Sequence, residues 1–137
     1  MKKYPYNSPH AMARLLIMQM IGDGNFDPGE IDELEHLNVY EILGISRKDF
    51  IQVLQDYCND LSDDADATGT IHLVDKQRID DLLETVDEPR KRLLIAALAL
   101  GIAKADQEFS EVEMAIFSHM LRRWHLGLED LQAAFSD

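Results

Sequence analysis

One short segment occurs twice in this 137-residue chain, and this repetition constrains the fold more than any other feature. The segments GDGNFDPGE (residues 22–30) and ADQEFSEVE (residues 105–113) are separated by a constant 83 positions. Six identities fall between positions 23 and 44 at this offset, where ordinary composition would give roughly one. They are Asp23/Asp106, Phe26/Phe109, Glu30/Glu113, His36/His119, Leu43/Leu126 and Gly44/Gly127. We interpret the pattern as an internal duplication.

Helix-capping patterns beside apolar runs predict an all-α fold. Ser8-Pro9 is typical of a helix start, and the following residues 9–22 are apolar on most sides, so this first helix should be largely buried. Further helices are predicted to begin near residues 27, 46, 72, 87, 110 and 128, which makes about seven in total. Gly44 and Gly127 are predicted to end the second and sixth helices, and residues 72–86 to form the fourth.

We expect a single domain over residues 1–137, a helical bundle built from two pseudo-symmetric helix-loop-helix repeats. The repeat halves cover roughly residues 8–61 and 88–136, and an acidic loop and a short helix link them. Ala96, Ala97 and Ala99 would let another helix approach closely, so the first and fifth helices are predicted to cross at the centre. Cys58 is interpreted as a small core residue.

Composition excludes several classes of protein. The chain has 26 acidic and 13 basic side chains, and its formal charge of −13 argues against nucleic-acid binding, which depends on Lys and Arg. A single cysteine permits neither an internal disulfide nor a thiolate metal cluster, and it favours a cytoplasmic location. The longest nearly apolar stretch, residues 93–103, is about half of the ~20 residues that a membrane span needs. We therefore expect no transmembrane segment. A secretory signal is not expected either, because Arg14 and Gln19 interrupt the first apolar run and no small-residue cleavage site follows it.

Four acidic residues at the two repeated corners are the candidate metal ligands. Asp23 and Asp106 follow buried helices, where the helix dipole is negative and disfavours a carboxylate. Either N–H groups of the loop or a bound cation would offset this cost. Glu30 and Glu113 each occupy the third position of a capping box, which is itself sufficient reason for glutamate.

A second interpretation of the glutamates also remains open. Glu113 stands at helical spacing from Phe117, Met120 and Trp124, so it continues their core-facing line. Inward carboxylates from both copies could meet near a pseudo-twofold axis and would then bind a proton or a divalent cation. Oxygen ligands favour Ca²⁺, Mg²⁺ or Mn²⁺. An EF-hand is excluded, because Pro28 occupies its glycine position.

The remaining polar motifs predict neither catalytic nor cofactor-binding residues. No nucleophile–base pairing or phosphate loop occurs in the sequence. His36 and His119 are interpreted as polar contacts on helix flanks rather than ligands. The basic patches Arg90-Lys91-Arg92 and Arg122-Arg123 are explained by solvated helix faces, and contact with anionic lipid or a partner remains open.

The chain resembles the TerB-like family, the tellurite-resistance domain that is also related to the N-terminal part of a membrane-anchored DnaJ-type co-chaperone. The resemblance rests on IGDGNFDPGEIDEL, GIAKADQEFSEVEMAIF and YPYNSPHAMARLL, and it covers nearly the whole chain. It implies two pseudo-symmetric helical halves and acidic corner positions associated with divalent cations. Gln107 departs from the family pattern, which has glycine there.

The resemblance also implies a function. Family members are linked to tellurite or stress resistance in bacteria and to assemblies near the inner membrane, and they are not established enzymes. We therefore expect a non-enzymatic binding module that acts with other stress-response proteins, in the cytoplasm or peripheral to the inner membrane. The alternative is a metal-free protein–protein interaction domain of a stress-response or co-chaperone assembly. A carboxylate-dependent hydrolase is a third and weaker hypothesis.

Overall fold

A computed structural model describes residues 3–20, 32, 34–36, 38–63, 76–106, 111–127 and 129–131. Every regular element in these ranges is helical, which confirms the all-α prediction. Residues 34–36 and 129–131 are also helical. The helices with defined bounds are α1 (Pro9–Met20), α2 (Val39–Leu43), α3 (Arg47–Asp63), α4 (Lys76–Leu83), α5 (Pro89–Asp106) and α6 (Glu111–Arg123).

Helix α1 is the centre of the described structure. Residues 11–20 are all buried, and α1 contacts each of the other five helices. Its apolar sequence explains this position, because a helix that is apolar on most sides needs neighbours all round. The predicted packing of α1 against α5 is confirmed, and the small side chains of Ala96, Ala97 and Ala99 in α5 are buried.

The predicted helix starts are set by local hydrogen bonds. The Ser8 hydroxyl accepts the Ala11 N–H at 3.1 Å, and the Ser46 hydroxyl accepts the Asp49 N–H at 3.1 Å. Both serines therefore satisfy donors that the first turn of a helix leaves unpaired. α5 begins at Pro89, as the sequence predicts.

Three helix boundaries differ from the prediction. The second predicted helix is interrupted at Asn38, whose φ of 57° is left-handed, and α2 begins only after it. Asparagine tolerates this conformation better than most residues, so an asparagine inside a helical pattern can be a break. α4 ends at Leu83 rather than residue 86, because both the N–H and the hydroxyl of Thr85 bond to the Leu82 carbonyl. Its predicted start lies outside the described residues.

The third difference concerns the two matched glycines. Gly44 ends α2 as predicted, with a φ of 76° and with the Ile45 N–H donating to the Tyr40 carbonyl at 3.0 Å. In the second copy the prediction is wrong, because α6 ends at Arg123 and the left-handed residue is His125, with a φ of 56°. The Gly127 N–H instead donates to the Asp130 carboxylate at 2.8 Å and begins the next helical turn.

Cys58 is exposed, so its interpretation as a core residue is wrong. The buried face of α3 is set by Phe50, Val53 and Tyr57, and Cys58 lies one residue round the helix from this face.

The N-terminal arm contacts the body through Tyr4, which packs on the core. Among the described helices, none combines the length and the apolar character needed to cross a bilayer.

Candidate functional site

The four predicted ligands are described to different extents. Asp23 and Glu30 lie outside the described residues, so the structure says nothing of their positions. Asp106 is the last residue of α5, so it does follow a helix, and its side chain is outside the described part. Glu113 is described and stands in the first turn of α6.

Glu113 is half-buried and begins the inward line of α6. Phe117, Met120 and Trp124, which follow it at helical spacing, are all buried, as the sequence predicts. Sequence reasoning did not include Ile116, which is buried beside them. The Glu113 carboxylate is thus attached where the apolar face of α6 meets the second corner.

Gln19 connects the end of α1 to the start of α6. Its side-chain Nε2 donates to the backbone carbonyl of Glu113 at 2.7 Å. Gln19 is near the C-terminal end of α1, one helical turn before Asp23 in the sequence, and Glu113 opens α6. The chain segments that lead into the first corner and out of the second are therefore in direct contact.

The carboxamide of Gln19 is only half satisfied. The residue is 3% exposed, and its Oε1 has no hydrogen-bond partner among the described residues. A buried polar atom without a partner costs about 1–3 kcal/mol, so its environment normally supplies a donor or a cation. An amide oxygen is also a common ligand of hard divalent cations. The sequence carried a signal for this residue, a glutamine within a largely apolar helix.

The backbone field near Gln19 favours positive charge. The C-terminal end of a helix carries a partial negative charge, and α1 has no basic residue in its last turn to compensate it. α5 also ends at a corner, at Asp106, and Lys104 stands in its last turn. By contrast, Glu111 and Glu113 stand at the positive end of α6, where carboxylates are stabilised without any metal.

Within the described part of the chain, no three His, Cys, Asp or Glu side chains form a group able to hold a metal ion. The side chains of three of the four predicted ligands are outside that part. The two histidines behave as predicted, as polar contacts on helix flanks. His119 Nε2 is 2.6 Å from the Asp80 carboxylate, and His36 Nδ1 is 2.9 Å from the Asp32 carbonyl oxygen.

A second cluster of polar residues surrounds Arg14, the other buried polar residue of α1. Its guanidinium lies 4.8 Å from the centre of the Tyr4 ring. Burial lowers the pKa of Arg14, while Tyr4, Asp60 and Tyr57 act in the opposite direction. The cluster attaches the N-terminal arm to α1 and α3.

Comparisons of the chain with protein-family models, with curated proteins and with solved structures find no match. The TerB-like resemblance therefore stays a prediction from the motifs quoted above.

Proposed function

We propose that this protein is a non-enzymatic helical binding module that holds a divalent cation at its two corners. Asp23, Glu30, Asp106 and Glu113 are the proposed carboxylate ligands. One observation carries the proposal, namely that the buried Gln19 connects the end of α1 to the start of α6 and leaves its Oε1 without a described donor.

The chemistry of this arrangement suits a hard cation. Four carboxylates and one amide would offer oxygen ligands only, which favours Ca²⁺, Mg²⁺ or Mn²⁺. A cation would lower the repulsion among the acids and would be attracted by the helix ends at Met20 and Asp106. It would also provide a positive partner for Gln19 Oε1.

The biological setting follows from the resemblance to TerB-like proteins. We propose that the module serves a bacterial stress-response assembly, in the cytoplasm or peripheral to the inner membrane. Binding of the cation would fix the two corners relative to each other. A partner that recognises the corners would then bind the loaded protein more tightly than the empty one.

Cation titration of the chelator-stripped protein tests the proposal. Ca²⁺, Mg²⁺ and Mn²⁺ are added separately, and both the heat of binding and the melting temperature are measured. An ion at about 100 times its Kd should stabilise the protein by about 2.7 kcal/mol, which raises the melting temperature by roughly 5–10 °C. Asp23→Asn and Asp106→Asn should each remove most of this shift.

Asp49→Asn is the matched control, because Asp49 is exposed in the first turn of α3. It loses the same charge and should keep the full ion-induced shift. If no ion gives heat or a shift with the wild-type protein, the cation proposal fails.

The alternative is the metal-free protein–protein interaction domain. It is favoured by the placement of Glu111 and Glu113 in the first turn of α6, where the helix dipole alone stabilises them. In that case the acidic surface of a chain with charge −13 would meet a basic partner.

A further inference from the structure

The two basic patches of the sequence meet at one pocket. A cavity of about 450 Å³ lies between the segment that leads from α4 into α5 and the C-terminal end of α6. This volume is in the range of small-molecule sites. Its lining consists of Glu84, Arg92, Arg122, Arg123, Trp124 and His125. The patches are 30 residues apart in sequence, so only the fold brings them together.

Arg92 is held in place by two contacts. Its Nε donates to the Val86 carbonyl at 2.7 Å, and its guanidinium carbon lies 5.5 Å from the centre of the Trp124 ring. Trp124 is itself 5% exposed, and its indole N–H points to the Leu83 carbonyl at 3.4 Å. These contacts fix the guanidinium through Nε, and its two terminal nitrogens form no hydrogen bond with any residue that the structure describes.

The charges around the pocket are predominantly positive. Glu84, its one carboxylate, forms an ion pair with Arg123 Nη2, and Arg123 Nε is 3.6 Å from Asp80. Arg92 and Arg122 form no ion pair with any carboxylate that the structure describes. Within the described part of the chain, the guanidinium groups of Arg92 and Arg122 therefore have no paired carboxylate at the pocket.

The helix dipole opposes an anion here only weakly. The pocket adjoins the C-terminal end of α6, which is the negative end. However, the carbonyls of Arg122 and Leu121 already accept the N–H groups of His125 and Leu126, at 3.2 and 2.9 Å. This capping leaves fewer bare carbonyls towards the pocket.

We propose that this pocket binds a small, soluble phosphate monoester through Arg92 and Arg122. Guanidinium groups match the oxygens of phosphate in paired, charge-assisted hydrogen bonds. The cavity exceeds the size of a phosphate group, so it also accommodates the rest of a small molecule. The ligand is taken to be a free small molecule rather than a lipid headgroup, because the cavity has room for more than a phosphate group.

The protein contains a single tryptophan, Trp124, which lines the pocket and reports on it directly. The full chain is titrated with glycerol 3-phosphate in the presence of a chelator, and heat and Trp124 fluorescence are measured in parallel. Saturable binding with a Kd of about 0.1–1 mM is expected in both signals. The chelator keeps the result independent of any divalent cation and so of the function proposed above.

Arg122→Gln is the decisive variant, because Arg122 is exposed and its loss should leave the fold intact. It should weaken binding about tenfold, the effect of one charge-assisted hydrogen bond. Arg122→Lys keeps the charge but not the planar guanidinium, so its affinity for glycerol 3-phosphate should lie between those of Arg122→Gln and wild type. Arg90→Gln is the control, because Arg90 is an exposed arginine of the adjacent patch that does not line the pocket. It should bind like wild type.

Four results would overturn the proposal. The first is no saturable heat up to about 20 mM ligand, well above the expected Kd. The second is unchanged binding by Arg122→Gln, which would locate the ligand elsewhere. The third is competition by acetate as strong as by inorganic phosphate. The fourth is binding to phosphatidic acid vesicles without binding to glycerol 3-phosphate. Equal competition by acetate would indicate a general anion site, and binding to vesicles alone would indicate a membrane contact.

Discussion

Asn7 connects the N-terminal arm to the start of α5 through its side chain and its backbone. Its Oδ1 accepts the N–H groups of Asp87 and Glu88 at 2.9 and 3.1 Å, so it caps a helix that is distant in sequence. Its carbonyl accepts Lys91 Nζ at 2.8 Å, and its N–H donates to the Thr85 carbonyl at 2.9 Å. It does this in a left-handed conformation, with a φ of 62°.

Replacing Asn7 should therefore destabilise the fold through two separable effects, the loss of its side-chain hydrogen bonds and the strain of its left-handed backbone. Asn7→Gly loses only the side-chain bonds and should cost about 1–2 kcal/mol. Asn7→Ala also strains the left-handed backbone and should cost about 1 kcal/mol more. Urea unfolding measures both, with Asn59→Ala on the exposed side of α3 as the control. Equal stability of the two Asn7 variants would contradict the backbone part of this prediction.

Tyr57 should make the stability depend on pH in the alkaline range. It is 3% exposed, and burial raises its pKa to about 12, although Arg78 and Arg14 act in the opposite direction. Between about pH 10 and 12 the folded protein keeps this proton while the unfolded chain loses it. The contribution of Tyr57 is therefore complete below about pH 10 and is lost as the pH rises, by about 3 kcal/mol in total.

Urea unfolding of wild type and Tyr57→Phe at several pH values between about 9 and 12 tests this dependence. The phenylalanine variant should lose less stability over the same interval, because it has no phenol to ionise. Parallel pH profiles of the two proteins would show that another group is responsible.

At the scale of the helices, the two glycines matched by the repeat should respond differently to substitution. Gly44 has a φ of 76°, whereas Gly127 has no such positive φ, and its Cβ would meet only the Asp130 carboxylate at 3.8 Å. Gly44→Ala should thus cost about 1–2 kcal/mol, and Gly127→Ala should change stability by less than about 0.5 kcal/mol. Thermal or urea unfolding of both variants measures this difference in stability. A similar loss in both would mean that both helices end at glycine.

Helix starts could be predicted from the sequence because their determinants are local. Ser8 and Ser46 cap turns only three residues away. Helix ends were predicted less well. The helices break at Asn38 and His125, which have a left-handed backbone although neither is glycine. Residue types other than glycine do not reliably predict this conformation. The exposure of Cys58 likewise depends on which face of α3 meets α1, a matter of long-range packing.

At the scale of the whole molecule, the candidate sites differ in how far the sequence revealed them. The acidic corners were visible because the sequence repeats their residues at a fixed offset. The basic pocket was not, because Arg92 and Arg122 come from different helices and meet only in the fold. The two proposals also lie at opposite ends of α6, with its acidic residues in the first turn and its basic residues in the last. This distribution complements the helix dipole at each end.

Substitution of Gln19 should show whether the end of α1 and the start of α6 are coupled. The residue 83 positions later is Ile102, which is buried and cannot form the same hydrogen bond, so the two copies are not equivalent here. Gln19→Met replaces the carboxamide by an apolar group of similar size. The substitution loses the hydrogen bond to Glu113, but it also removes the buried Oε1 that lacks a described partner. Because these effects oppose each other, the free energy of unfolding of the cation-free protein should change by less than about 1.5 kcal/mol.

The loaded protein should behave differently. If Oε1 is a ligand, Gln19→Met should weaken the binding of the preferred cation about tenfold, which corresponds to about 1.4 kcal/mol. Calorimetric titration of both proteins measures this, and Gln52→Met, on the exposed side of α3, is the control. An unchanged Kd would remove Gln19 from the ligand set while leaving its hydrogen bond to Glu113 as a link between the halves. A large loss of stability without cation would instead show that this link holds the corners together by itself.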